Sequence, residues 1–190
     1  MRKLLYSPLA FALLLMVGSF GFYSCDEDEI TLATRNIDIP LTYQFALDVP
    51  TAGSPSPFTY EEILEITDNA EFDEYEALND IEIDRIAVKI IDIQNAPDTT
   101  IYSLDGQASF PDVQQGIAYD LVIDNLKQAS TDGTEYDLDI TDENLRTIAT
   151  SALSTGQVRM VLDGELSHSP ITILFEVIIN TNTEVELKVG

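Results

Sequence analysis

"IDIPLTYQFALDV", residues 37–49, places Leu41, Tyr43, Phe45, Leu47 and Val49 at every second position, with polar or small residues between them. That period sets the apolar side chains on one face of an extended chain and predicts a half-buried strand. The same reading extends outward. "EEILEIT" is a shorter strand. "IEIDRIAVKIIDI", residues 81–93, holds Ile81 and Ile83, then Ile86, Val88 and Ile90, then Ile91 and Ile93. Its phase shifts at Asp84 and Arg85 and again at Ile90 and Ile91, as a β-bulge or burial on both faces would require. "TIYSLDGQASF" carries Asp105-Gly106 between two short apolar runs, the dipeptide of a tight hairpin. "IAYDLVIDNL" and "TEYDLDI" add strands joined through residues 130–133. "QVRMVLDGEL" puts Val158, Met160 and Leu162 on one face, and "ITILFEVIIN" and "TEVELKV" end the chain on either side of the polar "NTNT".

Two segments have a helical period instead. "TDENLRTIATSALSTG" opens on Thr141 as N-cap, has acids in its first turn, gathers Leu145, Ile148, Ala149, Ala152 and Leu153 into one stripe, and stops at Gly156. "AEFDEYEALND", residues 70–80, shows only a partial face of Phe72, Tyr75 and Leu78 or Asn79. About nine strands with one or two short helices predict a mainly β chain, a β-sandwich with Greek-key or immunoglobulin-like connections. The proline-rich residues 48–58 read as an ordered turn or exposed connection within one domain, and no repeat of fixed length is present.

The first thirty residues are an address. Arg2 and Lys3 are the only charges before Cys25, "LAFALLLMV" at residues 9–17 is an apolar core, and Gly18, Ser19 and Gly21 follow it. "FYSC", residues 22–25, resembles a relaxed lipobox of the bacterial lipoproteins. Ser24 matches the small residue before the cysteine, whereas Phe22 and Tyr23 depart from the usual Leu-Ala/Ser pattern. The resemblance implies that the Cys25 sulfur receives a diacylglycerol and that cleavage leaves Cys25 as the N-terminus. The four acids that follow, Asp26, Glu27, Asp28 and Glu29, resemble the surface-export signal of Bacteroidota-type lipoproteins. A single Asp at this place would resemble an inner-membrane retention signal, and a solvated spacer or an uncleaved membrane span are the plainer readings. The expected organisation is a leader at 1–24, an acidic lipidated tether at 25–36 reaching roughly 35 Å when extended, and one domain at 37–190. The expected location is the outer-membrane surface, with a periplasm-facing lipoprotein as the alternative.

Composition narrows the partners. The chain has nine Lys and Arg against 34 Asp and Glu, a formal net charge of −25; losing Arg2 and Lys3 with the leader makes the mature chain more negative still. Binding of nucleic acid needs a basic patch, and a sequence this poor in cations predicts none. Divalent cations are what such a surface attracts. The single cysteine allows no intrachain disulfide.

Catalytic motifs are few. His168 is the only histidine and lies in "SHSP", with no G-x-S-x-G elsewhere, so it reads as an exposed turn residue. One histidine and one lipid-bound cysteine do not make a zinc site. For calcium, residues 128–139 place a glycine sixth as an EF-hand loop does but lack its first, third and last ligands. Residues 68–84 are rich in acids, with Asp68, Glu71, Asp73, Glu74 and Asp80 as candidate ligands against the simpler reading of a solvated face. There is no tryptophan for sugar stacking; Phe58, Tyr60 and Tyr102 lie near loops and are the candidates for an exposed aromatic platform. The expectation is a surface lipoprotein without a cofactor and without enzyme activity, serving as a binding or accessory module of a cell-envelope assembly, with the membrane, an envelope complex or a surface glycan as partner. A fimbrial anchor or adhesin is the alternative. It needs an exchangeable terminal strand, for which "TEVELKV" or "IDIPLTYQF" would serve. A small glycan-acting hydrolase is the remaining reading.

Overall fold

The computed structural model describes residues 34–97 and 99–187. Cys25, the acidic run Asp26, Glu27, Asp28 and Glu29, and the whole leader lie outside the described residues. The chain runs β1 (Thr34–Gly53), β2 (Ser56–Glu65), a 3-10 turn (Ala70–Phe72), β3 (Tyr75–Gln94), β4 (Leu104–Ser109), β5 (Ala118–Ile123), α1 (Leu126–Asp132), β6 (Glu135–Asp137), α2 (Asp142–Thr155), β7 (Gln157–Leu166) and β8 (Ser169–Leu187). β1 thus takes in Thr34, Arg35 and Asn36, part of the segment read as tether. No helix among the described residues is long and apolar enough to cross a membrane.

Two antiparallel four-stranded sheets form a β-sandwich. Their orders are β1-β8-β3-β6 and β2-β7-β4-β5. β1 pairs with β8, β2 with β7, β3 with β6 and β4 with β5. This nesting is one long hairpin rolled up on itself, the eight-stranded jelly roll built of Greek keys, and it differs from the immunoglobulin strand order.

The expected alternation holds in β1, where Leu41, Phe45 and Leu47 are buried opposite Ile179, Phe175 and Ile173 of β8. Phe45 stacks on Phe175 at 5.5 Å and on Tyr60 from the other sheet at 4.8 Å, which joins the two layers. In β3 the register against β8 slips between Ile83 and Arg85 and between Ile90 and Asp92. Each slip inserts one residue and flips the face, so Ile81 and Ile83, then Ile86, Val88 and Ile90, all reach the core. Two further slips lie near Tyr75 and Leu78. Helix α2 has the expected ends: the Thr141 side chain accepts from the Asn144 N–H, and Gly156 ends it in the left-handed region at φ 81°. Its buried Leu145, Ile148, Ala149 and Ala152 join the same core.

Four expectations are corrected. Asp105-Gly106 does not turn the chain. Gly106 lies within β4 opposite Gly164 of β7, and a Cβ on Gly106 would meet the Asp163 carbonyl oxygen at 2.7 Å. "NTNT" is no linker: it lies inside a continuous β8, where Thr183 donates to Thr181 and Thr181 donates to the Ile39 carbonyl at 2.8 Å, so both hydroxyls are satisfied in the core. Residues 126–132, including most of the expected loop at 130–133, form α1. It is capped by Asn125 and by Gly133 at φ 63°, too short a helix for a period to show in sequence. Residues 70–80 form the 3-10 turn and then the start of β3 rather than a helix; Phe72 is buried as an anchor of the turn.

Candidate functional site

The β1–β2 and β7–β8 connections cross from one sheet to the other side by side, and hydroxyls clasp them. Ser54 Oγ donates to the Ser167 carbonyl at 2.8 Å. Ser169 Oγ donates to the Thr51 carbonyl at 2.5 Å, so the 2.5 Å contact between Ser56 Oγ and Ser169 Oγ has Ser56 as donor. Ser54-Pro55 and Ser169-Pro170 are cis. Beside this clasp lies a groove of about 460 Å³ lined by Val49, Pro50, Thr51, Pro57, Phe58 and Thr59 among others. Between Ile39 and Tyr60 the only charged residue is Asp48, in a chain that is 23% charged. The stretch that supplies this groove is therefore low in charge where the sequence as a whole is acidic.

The three candidate aromatics separate here. Phe58 is half-buried and lines the groove. Tyr60 is half-buried against Phe45 and donates to Glu62 at 2.6 Å; burial first, then the Glu62 bond, push its phenol up to about 12. Tyr102 is only 4% exposed, with the His168 ring edge-on at 5.9 Å and Lys127 Nζ 5.8 Å from its ring. It offers no exposed platform, because the core needed its ring.

The acidic candidates do not converge. Asp68 follows β2, Glu71 sits in the 3-10 turn, Asp73 and Glu74 follow it, and Asp80 lies in β3 with its Oδ1 accepting from the Ile81 N–H at 2.9 Å. Among the described residues no three His, Cys, Asp or Glu side chains are grouped to hold a metal ion. His168 is exposed with Nδ1 3.2 Å from Ser167 Oγ, and that oxygen already accepts from the Ser103 N–H at 2.9 Å. Among the described residues no carboxylate contacts His168, so the arrangement lacks the orienting acid of a nucleophilic triad.

A second groove, of about 570 Å³, runs along α2 past Arg146, Thr147, Thr150 and Ser151. A smaller cavity of about 180 Å³ adjoins it, bounded by Ile63, Val113 and Arg159. Arg159 grips Asp112 through Nε at 3.0 Å and Nη2 at 2.5 Å, and reaches Glu61 at 3.3 Å. The guanidinium holds the Asp112 carboxyl below its usual range. The sequence gives Arg159 an outward position on β7, but not its partners, which come from β2 and from the loop after β4. Comparison with protein-family models, with curated proteins and with solved structures finds no match.

Proposed function

We propose that the chain is a lipid-anchored module on the outer-membrane surface, which binds a partner in a cell-envelope assembly and has no catalysis of its own. The observation that carries this reading is the order of its parts. A leader with a positive start and an apolar core precedes Cys25, four acids follow, and the first described strand begins at Thr34. Such a spacing suits a domain tethered by lipid and held off the membrane. The grooves support binding rather than turnover, since neither brings together a nucleophile, a base and an orienting acid. The test is protease treatment of intact cells followed by capture of the full lipoprotein from membranes. The proposal expects cleavage on intact cells, lost when Asp26, Glu27, Asp28 and Glu29 become Ala, and a stoichiometric envelope partner in the capture. Resistance to protease in both forms counts against surface display.

A fimbrial anchor or adhesin is the second reading, favoured by one feature. "IDIPLTYQF" belongs to β1, an edge strand, and an edge strand can be exchanged without opening a sheet. "TEVELKV" reads the other way: its described residues 183–187 end β8, which β1 and β3 flank on both sides.

A further inference from the structure

The two sheets have four edge strands, β1, β6, β2 and β5. Natural edges are kept from pairing by shortness, charge, proline or bulges. β6 is three residues long, and its Glu135 and Asp137 are engaged by Arg85. β2 carries Glu61, Glu62, Glu65 and Pro57, and β5 is six residues long with Asp120 at its middle. β1 is different. It is 20 residues long, its ladder with β8 runs without a slip from Thr34 to Val49, and no strand among the described residues pairs with its other edge. Pro40 and Pro50 limit the stretch of that edge open to pairing, but from Leu41 to Leu47 it has neither charge, proline nor glycine. That composition is the one that favours strand pairing.

The charges flanking this stretch say what fits it. Asp38 and Asp48 stand on the exposed face at its two ends, each held by β8: Asn182 Nδ2 donates to Asp38 at 2.7 Å and Thr172 Oγ1 to Asp48 at 2.9 Å. A second copy is a poor partner. Antiparallel self-pairing centred on Tyr43 sets Asp38 of one copy opposite Asp48 of the other at both ends, and like charges directly opposite destabilise a ladder. A net charge of −25 on each copy adds to that repulsion. We propose that the free edge of β1 from Leu41 to Leu47, flanked by Asp38 and Asp48, adds an extended segment of a partner protein, uncharged at its centre and basic at both ends. The main chain supplies the bonds over about 20 Å, and the two aspartates select the partner. This rests on the reading of the chain as a binding module.

The test uses the full lipoprotein in detergent and two synthetic peptides of alternating threonine and valine. One ends in lysines spaced as Asp38 and Asp48 are; its twin ends in glutamates. The lysine peptide should slow hydrogen exchange at β1 amides and bind roughly tenfold tighter than its twin, the size expected when two cross-strand charge pairs change sign. Asp38→Asn with Asp48→Asn should erase that preference while leaving the circular dichroism unchanged. Absence of protection in β1, equal affinity for both peptides, or a concentration-dependent dimer that protects β1 without peptide would each overturn the proposal. Membrane capture that succeeds while the peptides fail removes the edge site alone. Peptide binding without any membrane partner removes the functional reading alone.

Discussion

At Gly164 a Cβ would lie 2.6 Å from the Asp105 carbonyl oxygen and from the Gly106 Cα. Backbone cannot move aside as a flexible side chain can, so Gly164→Ala should cost on the order of 1–3 kcal/mol, the range for overpacking, read from urea unfolding. A cost no larger than that of an exposed substitution would show that the two strands are farther apart than described. Tyrosines give a second residue-scale prediction. Burial pushes the phenols of Tyr43 and Tyr60 up to about 12, while in the unfolded chain they ionise near 10. Both therefore favour the folded state below pH 10, and that contribution is lost as pH rises from 10 to 12. Stability measured across that window should fall, and the fall should be shallower in Tyr43→Phe. An unchanged slope would mean that Tyr43 is not the group responsible.

Among the elements, those with a long, clean period were legible in sequence and those decided by contact were not. β1 could be read because Leu41, Phe45 and Leu47 alternate toward a single core. β3 could be read because its breaks in phase are real slips at Ile83 and Ile90. α2 could be read because Thr141 and Gly156 mark its ends. Asp105-Gly106 misled because the dipeptide that suits a tight turn also suits a place where two backbones press together, and only the pairing with Gly164 distinguishes the two. "NTNT" misled because threonine counts as polar until Ile39 supplies an acceptor across β1 and β8. The grip of Arg159 on Asp112 joins residues 47 apart, which no local pattern records. The cap of α2 yields a prediction at this scale: Thr141→Ala should lower stability by about 1 kcal/mol, measured by thermal or urea unfolding, while Thr141→Asp should be close to neutral.

For the molecule as a whole, the jelly-roll order sets β1 and β2 at free edges, so the stretch from Ile39 to Tyr60, with Asp48 its only charge, borders an otherwise acidic chain. A net charge of −25 raises the free energy of the compact state by self-repulsion, and salt at physiological strength confines that repulsion to about 8 Å. The melting temperature should therefore rise with ionic strength, and equally for calcium and magnesium at matched ionic strength. A saturable rise specific to calcium would make the segment from Asp68 to Asp80 a binding site instead of a solvated face. The fold itself hosts many unrelated functions, so the proposed function depends most on the proposed lipid anchor. Its most direct test is labelling with a radioactive fatty acid in cells that process lipoproteins, comparing the full chain with Cys25→Ala. The account predicts label on the full chain, none on the variant, and accumulation of the variant as unprocessed precursor; label that persists in Cys25→Ala, or is absent from both, would contradict it.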